Sequence, residues 1–424
     1  MLPILGREPV SRVGDLTGPE LVSAAHEVAR GLPPGSRVAI SGSDETSQLI
    51  HFLGADLAGC ASLLIDRDWP DLDGVLADAR PDVLLDTTAP PGPDLGTEVP
   101  VGDESTCFYL PTTSGSTGRP KVLARSRGSW LRSFTALGVP LEPDDRVLIP
   151  GPLSSSLFLF GALHALHGGA DLRLLGRWSA RAAAEAAREA TAIHLVPAQL
   201  SALLAVLEHD PVLRAECALR WVICGGAKTD PSLDDRVAAV LPGCRLVEYY
   251  GSAEHSLIAV RHDDRLMPVV DVEVVEGRLL VRSDLVIDGY LERGRLVPAD
   301  TGCTGDRAIA HPDGSLEVLG RAGSVIDTGA RLVSAEAVES VLREVAGVLD
   351  VVVAASPHPR FGSLVTAVVE GDARLPDLRA HARERLHPAD RPRRWLTVDS
   401  LPRTSSGKPA RAVIAERLSG GGTP

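Results

Sequence analysis

Apolar runs of strand length alternate with helix-length segments over the first part of the chain. The apolar runs are RVAI (37–40), SLLI (62–65) and VLL (83–85), and segments typical of helices lie at about 45–58 and 70–79. Strands separated by helices are the usual signature of a parallel sheet covered by helices. The pattern therefore predicts an α/β fold.

The same alternation returns after residue 145 and enlarges the predicted α/β body. The further strand-like runs are VLIP (147–150), DLRLL (171–175), AIHLVP (192–197), WVICGG (221–226) and RLVEYYG (245–251). Between two of them, the alanine-rich segment SARAAAEAAREA (179–190) favours a helix with Ser179 as its N-cap. We expect a large N-terminal body of mainly parallel sheets with helices.

The pattern changes twice towards the C-terminal end. Beyond about residue 256, strands follow one another without helix-length spacers, with a tight turn at Glu276-Gly277, which predicts a small antiparallel β subdomain over 256–319. After GRAGS (320–324), the pattern predicts an α+β domain over 325–424. Its expected helices are 334–346 and 375–386, and its expected strands are 350–356, 364–370 and 395–398.

Composition and charge exclude several classes of protein. The chain has 424 residues, of which 44% are hydrophobic and 23% charged, as in a globular protein of two or three domains. A net charge of −13 does not provide the basic surface of a nucleic-acid-binding protein. The six cysteines contain no C-x-x-C pair, so we expect free thiols and no zinc site. Without a signal peptide or a membrane-length apolar run, a cytoplasmic protein with no membrane span is expected.

The segment FYLPTTSGSTGRPKVL (108–123) is the strongest candidate for chemistry. A strand-like run leads into a loop of Ser, Thr and Gly that ends at Lys121, one of only three lysines against forty arginines. Converging backbone N–H groups, hydroxyls and an ammonium suit a polyphosphate. The spacing matches neither a Walker A loop nor the nucleophile elbow of a hydrolase. A flexible linker is the alternative interpretation, although linkers rarely follow a buried strand and end in Pro-Lys.

TTSGSTGRPK (112–121) resembles the phosphate loop of the adenylate-forming superfamily, which includes acyl-CoA synthetases, the adenylation domains of peptide synthetases and luciferases. Segments similar to the later motifs of this family follow in the same order. They are GGA (225–227), YYGSAE (249–254), TGD (304–306), GRAGSVIDTG (320–329) and LPRTSSGK (401–408). The chain resembles a short, stand-alone acyl-CoA synthetase.

The resemblance implies a two-step ligase that uses ATP and Mg²⁺. A carboxylic acid displaces pyrophosphate from ATP to give an acyl-AMP, the C-terminal domain rotates about a hinge at 320–324, and a thiol takes the acyl group and releases AMP. Lys408 is implied to be the catalytic lysine of the mobile domain, with Lys121 and Glu254 also catalytic and Glu254 holding Mg²⁺. The residues implied to bind ATP or AMP are Thr113, Ser114, Gly115, Ser116, Thr117, Gly118, Gly226, Ala227, Tyr250, Gly251, Ser252, Asp306 and Arg321.

The segments expected to line the acyl pocket are apolar or small, which favours a fatty or aromatic acid over an amino acid. The candidate pocket residues are Ser155, Phe158, Val196 and His255. A surface or helix-start position is the alternative for His255. The part of the chain before the phosphate loop is shorter than in most relatives, so a smaller or more open pocket is expected. At the hinge, Gly323 and Ser324 stand where relatives commonly carry aspartate or lysine.

Coenzyme A is the expected thiol, since no carrier-protein segment follows the C-terminal domain. A stand-alone enzyme that loads an acyl or aminoacyl group onto a separate carrier protein is the alternative, and the residues do not separate the two. A non-catalytic nucleotide-binding relative is a third interpretation. The joint presence of Lys121, Glu254 and Lys408 argues against it.

Overall fold

The computed structural model describes residues 1–66, 69, 71–88, 94–96, 98–113, 120–227, 231–262, 265–321, 324–328, 332–358, 362–403 and 409–419. The chain forms two compact units. The first comprises Met1–Asp271 and Val281–Gly302, and the second comprises Val272–Leu280 and Cys303–Pro424. The domain and hinge boundaries expected at 319–325 stay predictions.

The secondary structure alternates between strands and helices up to β11 and is dominated by strands from there to α10. The strands are β1 (Arg37–Ser41), β2 (Ala61–Leu64), β3 (Val83–Asp86), β4 (Cys107–Tyr109), β5 (Thr112–Thr113), β6 (Lys121–Ser126), β7 (Arg146–Ile149), β8 (Asp171–Leu174), β9 (Ala192–Leu195), β10 (Trp221–Cys224), β11 (Arg245–Ser252), β12 (Ser256–His262), β13 (Arg265–Pro268), β14 (Asp271–Val275), β15 (Arg278–Arg282), β16 (Gly289–Glu292), β17 (Arg295–Val297), β18 (Cys303–Ala310), β19 (Leu316–Arg321), β20 (Val325–Asp327), β21 (Leu332–Ser334), β22 (Val348–His358), β23 (Gly362–Gly371) and β24 (Arg394–Val398). The helices are α1 (Gly18–Arg30), α2 (Glu45–Leu57), α3 (Leu72–Ala79), α4 (Arg127–Leu137), α5 (Ser156–Gly168), α6 (Ala180–Ala186), α7 (Pro197–His209), α8 (Pro211–Glu216), α9 (Pro231–Val240), α10 (Ala335–Arg343), α11 (Leu375–Arg385) and α12 (Arg411–Ser419), with a short 3-10 helix at Pro3–Leu5.

Two sheets build the first unit. One has the strand order β17-β16-β6-β4-β2-β1-β3, with β5 also paired to β6, and β1 runs parallel to β2 and β3. The other has the order β13-β12-β11-β10-β9-β7-β8, in which β8, β7, β9, β10 and β11 are parallel. Parallel strands covered by helices are buried on both faces, which explains the nearly continuous apolar runs in the sequence.

The β-rich character of 256–319 agrees with the sequence, but its strands belong to three sheets. Strands β12 and β13 extend the second sheet, β16 and β17 extend the first, and β14, β15, β18 and β19 form a separate sheet. The predicted turn between β14 and β15 is present, with φ of 50° at Glu276 and 72° at Gly277. Positive φ at both central residues is typical of a tight hairpin turn.

The C-terminal part of the second unit has the predicted α+β composition. Strands β22, β23 and β24 form a sheet, and α10 packs its buried Val338 and Leu342 into the core of this part. The hydroxyl of Ser334 caps α10 by accepting a hydrogen bond from the Ala337 N–H. The predicted N-cap of α6 is also present, since Ser179 accepts from Ala182 N–H.

The predicted fold class is confirmed: mainly parallel sheets with helices, an antiparallel β region and an α+β C-terminal part. The six cysteines are free thiols, as expected. In the described parts of the chain, no helix combines the length and apolar character that a membrane span requires.

Candidate active site

Glu254 lies in the turn of a hairpin formed by β11 and β12. The strands pair antiparallel, and their register shifts between Tyr250 and Gly251. A Cβ on Gly251 would lie 1.9 Å from the carbonyl oxygen of Ser256, so glycine is required where the two backbones approach. The YYGSAE segment therefore carries its carboxylate at the end of a strand, as the sequence predicts.

A buried arginine fixes the backbone of this turn. Arg125 on β6 donates hydrogen bonds to the carbonyl oxygens of Ala253 (2.5 Å) and Leu285 (2.7 Å), and its side chain is 1% exposed. The N–H of Ile287 donates to the carbonyl of Glu254 at 2.9 Å. Burial lowers the pKa of Arg125 to about 10, which leaves it protonated. Sequence reasoning missed Arg125. A charged residue directly after the apolar run VLA (122–124) could have indicated a buried arginine.

Tyr290 connects the two charged residues that were predicted to be catalytic. Its hydroxyl donates to Oε1 of Glu254 at 3.4 Å, and Nζ of Lys121 lies 5.0 Å from the centroid of its ring. Strands β6 and β16 pair antiparallel with Tyr290 opposite Leu123, and this register brings Tyr290 to Lys121. Sequence reasoning also missed Tyr290. The only feature that marks it in the sequence is that tyrosine is rare, with four in the whole chain.

The strands that flank the predicted phosphate loop form a hairpin. Thr113 on β5 pairs with Lys121 on β6, so the two ends of the loop are adjacent. The exposed Lys121 side chain therefore stands at the base of the loop. The loop residues predicted to contact phosphate lie outside the described residues; they are Ser114, Gly115, Ser116, Thr117 and Gly118.

The edge of the second sheet has the open glycine segment that the sequence predicts. After β10, Gly225 is buried against the ring of Tyr249, whereas Gly226 and Ala227 are exposed, and Gly226 has a φ of +83°. On the neighbouring strand β11, Tyr249 and Tyr250 are both half-buried and, as adjacent strand residues, lie on opposite faces. Tyr250, Gly226 and Ala227 thus lie at one edge of the sheet.

The candidate acyl-pocket residues occupy different environments. A Cβ on Gly226 would lie 3.4 Å from Cγ1 of Val196, so Val196 borders the glycine segment. Phe158 on α5 is buried and packs over Gly151, and Ser155 is the half-buried residue at the N-terminus of the same helix.

His255 is held by hydrogen bonds on both sides of its ring. The hydroxyl of Ser252 lies 2.9 Å from Nδ1, and Nε2 lies 3.0 Å from the carbonyl oxygen of Thr301. The side chain is 3% exposed. These contacts give His255 and Ser252 a supporting position next to Glu254, and their predicted contacts with substrate and nucleotide stay predictions.

In the second unit, the structure brings together Asp306 and Arg321. They lie opposite each other on β18 and β19, with Arg321 Nε 3.1 Å from Asp306 Oδ1. Arg321 also donates to the carbonyl oxygen of Thr304 at 3.0 Å, and the Thr304 hydroxyl accepts from the Asp306 N–H. The Asp306 carboxylate is thus held by an arginine, and the Asp306 backbone is held by Thr304. Of the other predicted residues, Lys408 and Gly323 lie outside the described residues, and Ser324 is buried.

Two family models match the chain. The model of the AMP-binding enzyme matches residues 85–291, and that of the AMP-binding enzyme C-terminal domain matches residues 337–408. The chain belongs to the family of AMP-binding enzymes. The predicted membership of the adenylate-forming superfamily is confirmed, and with it the class of an acyl-CoA synthetase-like ligase.

Individual relatives agree with this assignment. The chain is 29% identical to the uncharacterized acyl-CoA ligase YhfT of Bacillus subtilis, over 90% of this chain and 88% of YhfT. It is 27% identical to the putative long chain fatty acid-CoA ligase VraA of Staphylococcus haemolyticus, over 72% and 69% of the two chains. The fold matches the structure of ATP-bound MatB from Rhodopseudomonas palustris with a TM-score of 0.80, 22% identity and 98% coverage of both chains.

Proposed function

We propose that the enzyme activates a carboxylic acid with ATP and transfers the acyl group to coenzyme A. The observation that carries the proposal is the arrangement of Lys121 and Glu254 around Tyr290, in a chain of the AMP-binding enzyme family. This arrangement keeps an ammonium and a carboxylate close to each other and separated by one aromatic ring. A polyphosphate and its cation require groups of these opposite charges.

In the first step, a carboxylate oxygen of the acid attacks the α-phosphorus of ATP. The bond from this phosphorus to the bridging oxygen breaks, and pyrophosphate leaves as acyl-AMP forms. Negative charge builds on the phosphate oxygens, and the Lys121 ammonium at the base of the phosphate loop stabilises it electrostatically. Lys408 supplies a second ammonium from the C-terminal part of the chain, as the family resemblance implies.

The oxygen chemistry of Glu254 fits Mg²⁺. Its carboxylate lies at a hairpin turn, and the Tyr290 hydroxyl and the Arg125-held backbone orient it. Carboxylate oxygen is a preferred ligand of this hard cation, which usually binds one or two carboxylates and the substrate phosphates. When bound, the cation neutralises part of the phosphate charge. Glu254 is therefore the residue proposed to hold it.

The exposed edge at Gly226 and Ala227 is proposed to receive the adenine ring, with Tyr250 stacking on it. Asp306 is proposed to accept hydrogen bonds from the ribose hydroxyls, because a carboxylate accepts from both at once. Arg321, which pairs with Asp306, is proposed to contact the ribose or the phosphate.

In the second step, the thiol sulfur attacks the acyl carbon, the bond to AMP breaks, and the thiol proton is released with AMP as the leaving group. Coenzyme A is the proposed thiol, with a separate carrier protein as the alternative acceptor. Coenzyme A is supported by the names of YhfT, an uncharacterized acyl-CoA ligase, and VraA, a putative long chain fatty acid-CoA ligase.

A panel of carboxylic acids with ATP, Mg²⁺ and hydroxylamine tests the proposal. We expect acid-dependent release of pyrophosphate and a hydroxamate from the trapped adenylate, and an acyl-CoA when coenzyme A replaces hydroxylamine. Adenylate without acyl-CoA, together with acylation of a phosphopantetheinylated carrier protein, would assign the carrier as the acceptor. Folded enzyme that releases no pyrophosphate with any acid would refute the activation step.

A further inference from the structure

Two buried histidines lie where α5 packs against the second sheet of the first unit. His194 on β9 is 0% exposed and His164 on α5 is 4% exposed, with their ring centroids 6.1 Å apart. Among the described residues, neither ring nitrogen of His194 has a hydrogen-bond partner, and nor has Nδ1 of His164. Because buried polar atoms are nearly always hydrogen-bonded, this pair marks a place where a further polar group is expected.

The other histidines near this region are partnered. His167, one turn beyond His164 on α5, has Nδ1 2.8 Å from the carbonyl oxygen of Leu5, and both ring nitrogens of His255 are engaged. Within this part of the first unit, as far as the structure describes it, the buried imidazole nitrogens without a partner are therefore those of His194 and Nδ1 of His164.

The two histidines lie on surfaces that also border the glycine segment. Val196 follows His194 by two residues, so both side chains are on the same face of the strand, about 7 Å apart along it. Leu157, Gly161 and His164 have the i, i+4, i+7 spacing of one helix face. One strand face and one helix face therefore run from Val196 and Leu157 towards the histidines.

Distances confirm that these two faces meet. A Cβ on Gly226 would lie 3.3 Å from Cδ1 of Leu157 and 3.4 Å from Cγ1 of Val196. A Cβ on Gly161 would lie 2.6 Å from Cγ of His194, so the helix backbone packs directly on the imidazole. These residues form one continuous line of packed groups from Gly226 to the two histidines, which we call the α5–β9 path.

The side chains at the histidine end of the α5–β9 path favour one kind of ligand group. The Phe160 ring stacks on His164 with a centroid distance of 6.2 Å and an interplanar angle of 7°, and Tyr249 lies 6.4 Å from Phe160. Burial lowers the pKa of both histidines to about 3, so both are neutral at ordinary pH. A neutral imidazole offers one N–H donor and one acceptor, which matches a hydroxyl, carbonyl or amide, whereas a buried charged group requires a counter-charge.

We propose that His194 and His164 bind an uncharged hydrogen-bonding group at the far end of the carboxylic acid. The inference rests on the proposed acid activation and adds that the body of the acid lies along the α5–β9 path, beyond the glycine segment proposed to receive the nucleotide. It narrows the class of carboxylic acid. The acid has an apolar or aromatic body and a hydroxyl, carbonyl or amide remote from its carboxylate.

Matched acids test this inference. Cinnamate and para-hydroxycinnamate, and octanoate and its omega-hydroxy analogue, differ only by the polar group. We expect wild-type enzyme to have a kcat/KM for adenylation at least about 10-fold higher for one hydroxylated acid than for its apolar partner, because a site built for a hydrogen bond rejects an analogue that lacks it.

His194→Leu should bring that ratio close to one, and His194→Gln should retain part of it. His167→Leu is the matched control and should leave the ratio unchanged. Equal kcat/KM values for both members of every pair in wild type would overturn the inference.

A second measurement does not depend on activity. A buried imidazole without a hydrogen-bond partner destabilises the folded state, because it has lost its hydration. Replacing it by an apolar side chain removes this cost, so His194→Leu should raise the melting temperature of the ligand-free enzyme. His167→Leu removes a hydrogen bond and should lower it. If no acid supports pyrophosphate release, the proposed function fails and the inference fails with it, whereas pyrophosphate release with equal kcat/KM values within every pair overturns the inference alone. A melting temperature lowered equally by both variants would mean that buried water satisfies His194, which overturns the inference.

Discussion

The hydroxyl of Tyr290 lies 3.4 Å from Oε1 of Glu254, and the opposite charge of Lys121 lies over the ring of the same tyrosine. One side chain thus contacts both charged residues at the site and stands between them. A lysine and a glutamate in direct contact would neutralise each other before the nucleotide arrives. The tyrosine leaves both charges available to a polyphosphate and its cation.

Tyr290→Phe removes the hydrogen bond to Glu254 but keeps the ring under Lys121. We expect the Mg²⁺ concentration required for half-maximal adenylation to rise about 3- to 10-fold. A change of this size corresponds to the free energy of one ordinary hydrogen bond. Tyr290→Leu also removes the cation–π contact and should raise the KM for ATP further. Initial rates over a matrix of Mg²⁺ and ATP concentrations measure both effects.

Tyr109→Phe is the control for the Tyr290 variants. The buried Tyr109 hydroxyl lies 3.0 Å from the hydroxyl of Ser156, so its removal also costs one hydrogen bond. The Mg²⁺ dependence of this variant should match wild type. An equal change in both phenylalanine variants would show that Tyr290 acts only through stability.

Arg125 supports the turn that carries Glu254, so its loss should affect nucleotide binding as well as folding. Arg125→Met leaves the carbonyls of Ala253 and Leu285 without their donor and should cost about 2–4 kcal/mol of unfolding free energy. The KM for MgATP should rise about 10-fold. Arg125→Lys retains the charge and one donor direction, and should recover part of both losses.

Arg127→Met is the control that separates the expected effect of Arg125 on nucleotide binding from its effect on folding. Arg127 is equally buried, but it bonds Asp56 and the carbonyls of Val101 and Asp103. Removing it leaves the buried Asp56 carboxylate without its charged partner, which should cost about 3–5 kcal/mol. Folded Arg127→Met enzyme should nevertheless bind MgATP with the wild-type KM. A raised KM in both methionine variants would contradict the role given to Arg125.

Asp306 should determine discrimination between ATP and dATP. Its carboxylate is proposed to accept from the ribose hydroxyls, and dATP lacks one of them. Wild-type enzyme should prefer ATP by about 10-fold or more, the value expected for hydrogen bonds to a charged group. Asp306→Asn should reduce this preference and raise the KM for ATP. Unchanged discrimination in the variant would remove Asp306 from the ribose site.

Glu45 gives the stability of the fold a defined pH dependence. Burial raises the pKa of this carboxyl to about 7 from the usual 4.5, against an opposing hydrogen bond from the Leu153 N–H. Between pH 4.5 and 7 the folded state binds more protons than the unfolded state, so this group makes stability fall as pH rises. Glu45→Gln should therefore gain stability relative to wild type as pH rises through this window, as measured by urea unfolding.

Glu20→Gln is the control for the Glu45 variant. Glu20 lies in the first turn of α1, where hydrogen bonds from Thr17 lower its pKa. Its stabilising contribution is present above the unfolded pKa of 4.5 and is lost as pH falls, so this variant should become less stable than wild type as pH rises. The same pH trend for both variants would contradict the burial assigned to Glu45.

The parts of the fold that were predictable from sequence are those with local signals. Apolar runs located the parallel strands of both sheets, and Ser179 and Glu276-Gly277 located a helix start and a turn. The sheet to which each strand after residue 256 belongs was not predictable. Strand β16, for example, pairs with β6, which lies far from it in the sequence, and no local signal encodes that pairing.

The site shows the same limit. Motif resemblance selected Glu254, Asp306 and Arg321, and the structure brings the last two together. Arg125 and Tyr290 escaped notice because their importance depends on which distant backbone or side chain they contact. The pairing of His164 with His194 likewise depends on how α5 packs on β9, which no local signal in the sequence encodes.

The transfer of heavy oxygen from the substrate tests the central claim most directly. The acid is supplied with both carboxylate oxygens labelled, and the enzyme turns over with ATP and coenzyme A. If the carboxylate attacks the α-phosphorus, AMP carries one labelled oxygen, pyrophosphate carries none, and the acyl-CoA retains one, as read by mass spectrometry. Turnover that places the label in free phosphate, or leaves AMP unlabelled, would contradict activation through an acyl-AMP.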